Sequence, residues 1–152
     1  MALGQELVRV HDWLREELAA LRAASSAGTP TDGGSRLLLA HCAHFCSALD
    51  RHHTSESGRA FPALAIEFPE LAPVLAKLEE DHVLIGGILA RIDDVAAALA
   101  ESGDAPRLVG ELDGLAAIME SHFAFEERRI GAALDELTGL PPAELLGLIP
   151  AR

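Results

Sequence analysis

Hydrophobic residues recur along this chain at the three-and-four spacing of α-helices, in four stretches separated by helix-breaking residues. The first runs from about Gln5 to Ala24, with Leu7, His11, Leu14, Leu18 and Leu21 on one stripe. Ser25 to Gly34 is rich in Ser, Gly, Thr and Pro and reads as a loop. The second runs from about Ser35 to Arg59, with Leu38, Phe45, Leu49, His52 and Glu56 in line. Phe61-Pro62 is expected to end it, or to open an irregular passage as far as Phe68-Pro69. The third runs from about Ala72 to Ala100, with Pro73 tolerable in its first turn. Its stripe is Leu75, Leu78, His82, Ile85, Leu89 and Ile92, and Ser102-Gly103-Asp104 closes it. The fourth runs from about Pro106 to Leu137, with Leu108, Leu112, Leu115, Met119, His122, Glu126 and Ile130 in line.

Short connections between such helices predict an all-α, up-down-up-down four-helix bundle over residues 1–138. Residues 139–152 contain Pro141-Pro142 and a short apolar tail. They are expected to add a helical turn or two packed on or near the bundle.

Six polar residues interrupt the apolar stripes: His11, His52, Glu56, His82, His122 and Glu126. Two of the histidines begin a His-x-x-x-Glu pattern, which places imidazole and carboxylate on one helix face. At about 1.5 Å of rise per residue, the four histidines fall at one level of an antiparallel bundle, with each Glu one turn from its His. A single histidine on an apolar stripe is ordinarily a hydrogen-bonded core residue. Four at one level, two of them with a carboxylate beside them, point to a metal site, since buried imidazoles and carboxylates are costly without a partner.

Composition narrows the function classes. A formal charge of −12 makes a nucleic-acid backbone an unsuitable partner. No run of about 18 apolar residues is present, so no membrane span is expected. The first residues lack the basic and apolar regions of a signal peptide, and Cys42 and Cys46, four apart on one helix, are badly placed for a disulfide. A reducing cytoplasm is the expected compartment. Tyrosine is absent, which excludes a tyrosinate ligand or tyrosyl radical.

The other candidates take plainer readings. His53 is turned about 100° from His52 and is expected at the surface or behind the ligands. His41 reads as a polar core residue, and Trp13 as a packing residue. His41, Cys42, His44 and Cys46 share one helix and cannot all converge on one ion. Glu79-Glu80-Asp81 reads as a solvated face from which Glu80 or Asp81 could orient an imidazole. Gly86 and Gly87 each cost roughly 1 kcal/mol relative to Ala in mid-helix. Gly86, one turn from His82, suggests either an access route to the site or close helix packing.

Taken together, His11, His52-His53-x-x-Glu56 followed by Phe61-Pro62, the lone His82, and His122-Phe-Ala-Phe-Glu126-Glu127 resemble the hemerythrin-like HHE cation-binding domain, over roughly Leu3 to Leu137. The resemblance implies a four-helix bundle holding a non-haem di-iron centre. Glu56 and Glu126 would bridge two iron ions together with an oxo or hydroxo group, and the four histidines would be terminal ligands. Manganese or zinc would accept the same residue types. Oxygen-carrying members place a second histidine one turn after the helix-three ligand, where this chain has Gly86. They split five histidines three and two. Four histidines would divide two and two, which favours peroxide chemistry or iron and oxygen sensing over reversible oxygen carriage.

Three functions follow as expectations. The first is an oxidoreductase, catalase- or peroxidase-like or an O2-dependent oxidase, with a small substrate or reductant still to be identified. The second is a module that binds or senses O2, NO or iron without turnover. The third is a protein that stores or donates iron. The partner in each is a small molecule such as O2, H2O2 or NO; the sequence fixes neither the metal nor the oligomeric state.

Overall fold

The computed structural model describes residues 2–27 and 32–147. The helices are α1 (Leu3–Ser26), α2 (Asp32–Ser55), α3 (Phe61–Glu67), α4 (Ala72–Ser102), α5 (Ala105–Glu136) and α6 (Pro142–Leu146). A π-helical turn, Glu56–Ala60, joins α2 to α3, and a 3-10 turn, Pro69–Leu71, leads into α4. Among the described residues there is no strand.

The four long helices close into a bundle: α5 packs against α1 and α4, and α2 packs against the same pair. Each predicted stripe lies inside. Leu7, Leu14 and Leu21 of α1, Phe45 and Leu49 of α2, Leu78, Ile85 and Ile92 of α4, and Leu108, Leu112 and Leu115 of α5 are all fully buried. Burying one such side chain is worth about 1.5–3 kcal/mol, so the stripes, not the surface ion pairs such as Arg22 to Asp113, hold the fold. The helix ends are set by local chemistry. Gly103 adopts φ 65°, a left-handed conformation that stops α4 and returns its N–H to the Leu99 carbonyl. The Asp104 carboxylate then accepts from the Arg107 N–H, 3.1 Å away, and starts α5.

The second helix departs from expectation. It does not stop at Phe61-Pro62. Pro62 sits in the first turn of α3, where its missing N–H leaves nothing unsatisfied. The chain breaks only at Phe68 (φ −132°, ψ 72°). The π turn makes the continuation useful. In an unbroken α-helix Phe61 would lie about 140° around from Glu56; the extra residue in the turn brings it back inward, where its ring stacks at 5.3 Å on His82.

Beyond Leu137 the chain folds back. α6 packs across α2, the π turn and α1, and Leu145 and Leu146 are fully buried. No described helix is long and apolar enough to cross a membrane.

Candidate metal centre

All six polar residues of the stripes meet in the bundle interior. His11 comes from α1, His52 from the last turn of α2, Glu56 from the start of the π turn, His82 from α4, and His122 and Glu126 from α5. His11, His52, Glu56 and Glu126 have no exposed surface, and His122 almost none.

A seventh residue joins them. His53, expected at the surface or behind the ligands, is buried, and its ring lies flat against that of His82, 3.9 Å between centroids. The physical reason is that a bundle helix has two inward neighbours rather than one. His52 turns toward α1 and reaches His11, whereas His53 turns toward α4 and reaches His82. At 100° per residue, Glu56 projects about 40° from His52 and about 60° from His53, between the two. The signal was present in the adjacent pair His52-His53 three residues ahead of Glu56.

The donors form two overlapping groups, each with its ligand atoms within 4.8 Å of one another: His53, Glu56, His82 and His122, and His11, His52, Glu56 and Glu126. Glu56 belongs to both. Its Oε1 lies 3.3 Å from His82 Nε2 and 3.5 Å from His52 Nε2. Glu126 also reaches both halves, with Oε1 3.1 Å from His11 Nε2 and Oε2 3.5 Å from His122 Nε2. The imidazoles therefore divide three and two, not two and two. The reason for disfavouring oxygen carriage, a shortage of imidazoles, falls with that correction.

The far side of four rings is anchored. His11 Nδ1 donates to Glu127 Oε2 at 2.7 Å, and Arg15 holds the same oxygen at 2.9 Å. His122 Nδ1 donates to Asp81 Oδ2 at 3.0 Å, and Lys77 pairs with Asp81. His52 Nδ1 donates to the Leu146 carbonyl at 2.7 Å, and His82 Nδ1 lies 2.9 Å from Ser57 Oγ. With Nδ1 carrying the proton, each Nε2 presents a lone pair to the interior. Asp81 thus takes the orienting role that the acidic run suggested. Phe123 stacks on His11 at 3.7 Å and closes that side.

Electrostatics follow burial. Desolvation, reinforced by the neighbouring His11, pushes His52 down to about 3; desolvation likewise takes His82 to about 4 and holds His53 well below its usual range. These rings are neutral at physiological pH. Burial opposes charge on His11 too, but Glu126 and Glu127 outweigh it and raise its pKa. Glu56 is held well above the usual carboxyl range by burial and by the charge of Glu126. Burial alone would raise Glu126 as well, yet the His11 imidazole 3.1 Å away holds it well below.

The centre is unsatisfied as a purely organic cluster. Among the described residues, the buried side-chain atoms without a hydrogen-bond partner are His53 Nε2, His82 Nε2, His122 Nε2 and both oxygens of Glu56 and of Glu126. All seven lie in this one place. His11 Nε2 and His52 Nε2 face each other at 3.2 Å, an arrangement of two lone pairs unless one is protonated. Orphaned buried polar atoms are rare and costly. Imidazole nitrogen and carboxylate oxygen suit divalent iron, manganese or zinc, so the residues fit a metal pair.

The remaining candidates settle as follows. His41 is not in the core; it is half-buried on the α1 side, 3.3 Å from Glu17 Oε2. His44 is exposed and edge-on to the partly buried Trp13, while Cys42 and Cys46 are buried free thiols. An added Cβ at Gly86 would meet nothing within 4 Å, which excludes tight helix packing as the reason for that glycine. It borders a cleft of about 240 Å³ lined by Asp50, His53, Thr54, Ser57, His82 and Leu89.

Comparison with known proteins agrees with this geometry. No curated protein and no solved structure gives a significant match to the chain. A family model described as the hemerythrin HHE cation-binding domain matches residues 3–134, which takes in α1 to α4, nearly all of α5, and all seven residues of the centre. Over nearly its whole length, then, the chain belongs to the hemerythrin HHE cation-binding family.

Proposed function

We propose that this chain is a non-haem di-iron protein that reacts with hydrogen peroxide, O2 or NO, with peroxide or oxygen redox chemistry as its main activity. The observation that carries the reading is the set of seven orphaned buried atoms in two donor groups that share Glu56. His53, His82 and His122 would hold one iron, His11 and His52 the other, and Glu56 and Glu126 would span them. Bound iron supplies reversible one-electron changes and Lewis acidity. The chain's own residues supply the rest. Neutral His52, His53 and His82 need lose no proton to bind. Glu127 and Asp81 fix ring orientation and increase imidazole basicity. The leucine layers above and below exclude bulk water.

The cleft beside His53 and His82 favours turnover over simple carriage of an apolar gas. Its lining offers the Asp50 carboxylate and the Thr54 and Ser57 hydroxyls, which suit a small hydrogen-bonding molecule such as peroxide. A second reading, reversible O2 or NO binding without turnover, rests on the three-and-two division of imidazoles. The free thiols Cys42 and Cys46 suit a reducing compartment such as the cytoplasm.

The test is metal content and the optical spectrum of aerobically purified protein, before and after adding hydrogen peroxide. Two irons per chain, near-ultraviolet charge-transfer bands and gas release support the redox reading. Two irons with a reversible spectral change and no turnover support the binding reading. Protein that holds zinc alone, and that iron cannot reconstitute, would sink both.

A further inference from the structure

Two clefts reach the three-histidine half of the centre, one on each side of α4. The first lies between α2 and α4. One wall, formed by α2 and the π turn after it, is a polar ladder, Ser47, Asp50, Thr54 and Ser57, at steps of three, four and three. Its α4 wall is His82, Gly86, Leu89 and Asp93, at steps of four, three and four. The inner part, of about 240 Å³, contains His53 and His82; an outer part shares Asp50, Gly86 and Leu89 with it and extends to Asp93 and Cys46. No Lys or Arg lines either part. His53 and His82 each have an unpartnered buried Nε2. Asp50 and Asp93 are exposed and have no ion-pair partner among the described residues. The second cleft, between α4 and α5, is lined by Lys77, Asp81, Leu84, Ile118, Ser121, His122 and Phe125. Its one carboxylate, Asp81, is already engaged, by Lys77 on one oxygen and by His122 Nδ1 on the other.

We infer that the α2–α4 cleft is the port through which divalent metal ions enter and leave the centre, with Gly86 keeping it open. An incoming cation must exchange its water for protein oxygen and nitrogen one ligand at a time. This cleft offers that order: carboxylates at Asp93 and Asp50, hydroxyls at Thr54 and Ser57, then imidazoles at His53 and His82. Carboxylates at a mouth free of cations raise the local cation concentration and the entry rate. The opposite cleft has a single carboxylate, and that one is held by Lys77 and His122 and so is not free to receive a cation. Any side chain at position 86 would project into space that is now free.

The inference rests on the metal-centre reading, and its test separates the two. Cobalt(II) uptake by the metal-stripped full chain would be followed by stopped-flow absorbance, and its loss by chelator competition. A port controls rates without changing affinity. Gly86→Leu is therefore expected to slow uptake and loss by the same factor, about tenfold, with Kd unchanged, and Gly86→Ala by less. Gly87→Leu, the same change outside the cleft, should alter neither rate. Asp50→Asn should slow uptake at low ionic strength, with the difference vanishing as salt is added. Unaltered rates in Gly86→Leu, or slowing by Ser121→Leu in the opposite cleft instead, would overturn the port while leaving the metal centre intact. Failure of the unmodified chain to bind cobalt(II) or iron(II) in stoichiometric amount would overturn both.

Discussion

The imidazole of His53 lies parallel to that of His82, 3.9 Å between centroids and 14° between planes, although the two residues come from different helices. Oxygen-carrying hemerythrins take their fifth imidazole from the third long helix, as noted above. Here an additional buried imidazole comes from α2 and lies against the face of the His82 ring, while position 86 carries no side chain. His53→Gln is expected to reduce bound metal from about two ions per chain to about one, since the three-histidine group loses a nitrogen donor. Elemental analysis after desalting checks this, with circular dichroism to show that the helices persist. Retention of two tightly held ions would remove His53 from the site.

The carboxylates behind the rings should act separately on the two halves. Glu127→Gln removes the partner of His11, and Asp81→Asn that of His122. Each is expected to weaken its own half by about 10–100-fold, read as two distinct steps in a chelator titration. If both substitutions weaken the same step, the assignment of His11 and His122 to different halves is wrong.

Stability of the metal-free chain should fall as pH falls. In the unfolded state His52 and His82 take up protons near 6.5; in the folded state they do so only near 3 and 4. Between about 6.5 and 4 the unfolded state therefore binds more protons, and acidification drives unfolding. His53 adds to this in the same direction. His11 and Glu56, both raised, work the other way and favour the folded state on acidification, but they are two against three. Urea unfolding midpoints of metal-stripped protein should be lower at about pH 5 than at about pH 7. An equal or higher midpoint at the acidic pH would contradict the buried, neutral state of these rings.

Gly147 fixes the end of α6. It adopts φ 83°, and a Cβ there would come within 2.5 Å of the Arg51 carbonyl oxygen and 2.7 Å of Ser55 Oγ. Gly147→Ala is expected to cost about 1–3 kcal/mol in backbone strain alone. If α6 detaches, Leu145 and Leu146 lose burial worth about 1.5–3 kcal/mol each. Thermal unfolding of the metal-free variant measures the loss, and a Tm equal to that of the unmodified chain would refute it. Metal affinity should fall too, because His52 would lose the carbonyl that orients it.

Much of this was legible in the residue pattern. The stripes through His11, His82 and His122 bring their polar residues to one level of the bundle, as the structure has them, because a long straight helix obeys one period from end to end. Four features escaped. His53 was misplaced by assuming a single inward direction, which a helix with two buried neighbours does not have. The continuation past Phe61-Pro62 depends on a π turn, and nothing in five residues such as Glu56 to Ala60 announces an i-to-i+5 bond. His41 shares its phase with His52, yet three turns earlier on α2 it is only half-buried and pairs with Glu17. The role of the tail was equally hidden, since a backbone carbonyl carries no side-chain signature.

That carbonyl has a consequence for the order of events in the cell. His52 is held in place by Leu146, a residue 94 positions later in the chain. A ribosome that has already released α1, α2 and α4 has therefore not yet made the group that orients the first ring of the two-histidine half. Until α6 emerges, a metal ion arriving early finds this half without the anchor on His52. Any metal ion bound before α6 docks would be held by the two-histidine half more weakly than in the folded chain.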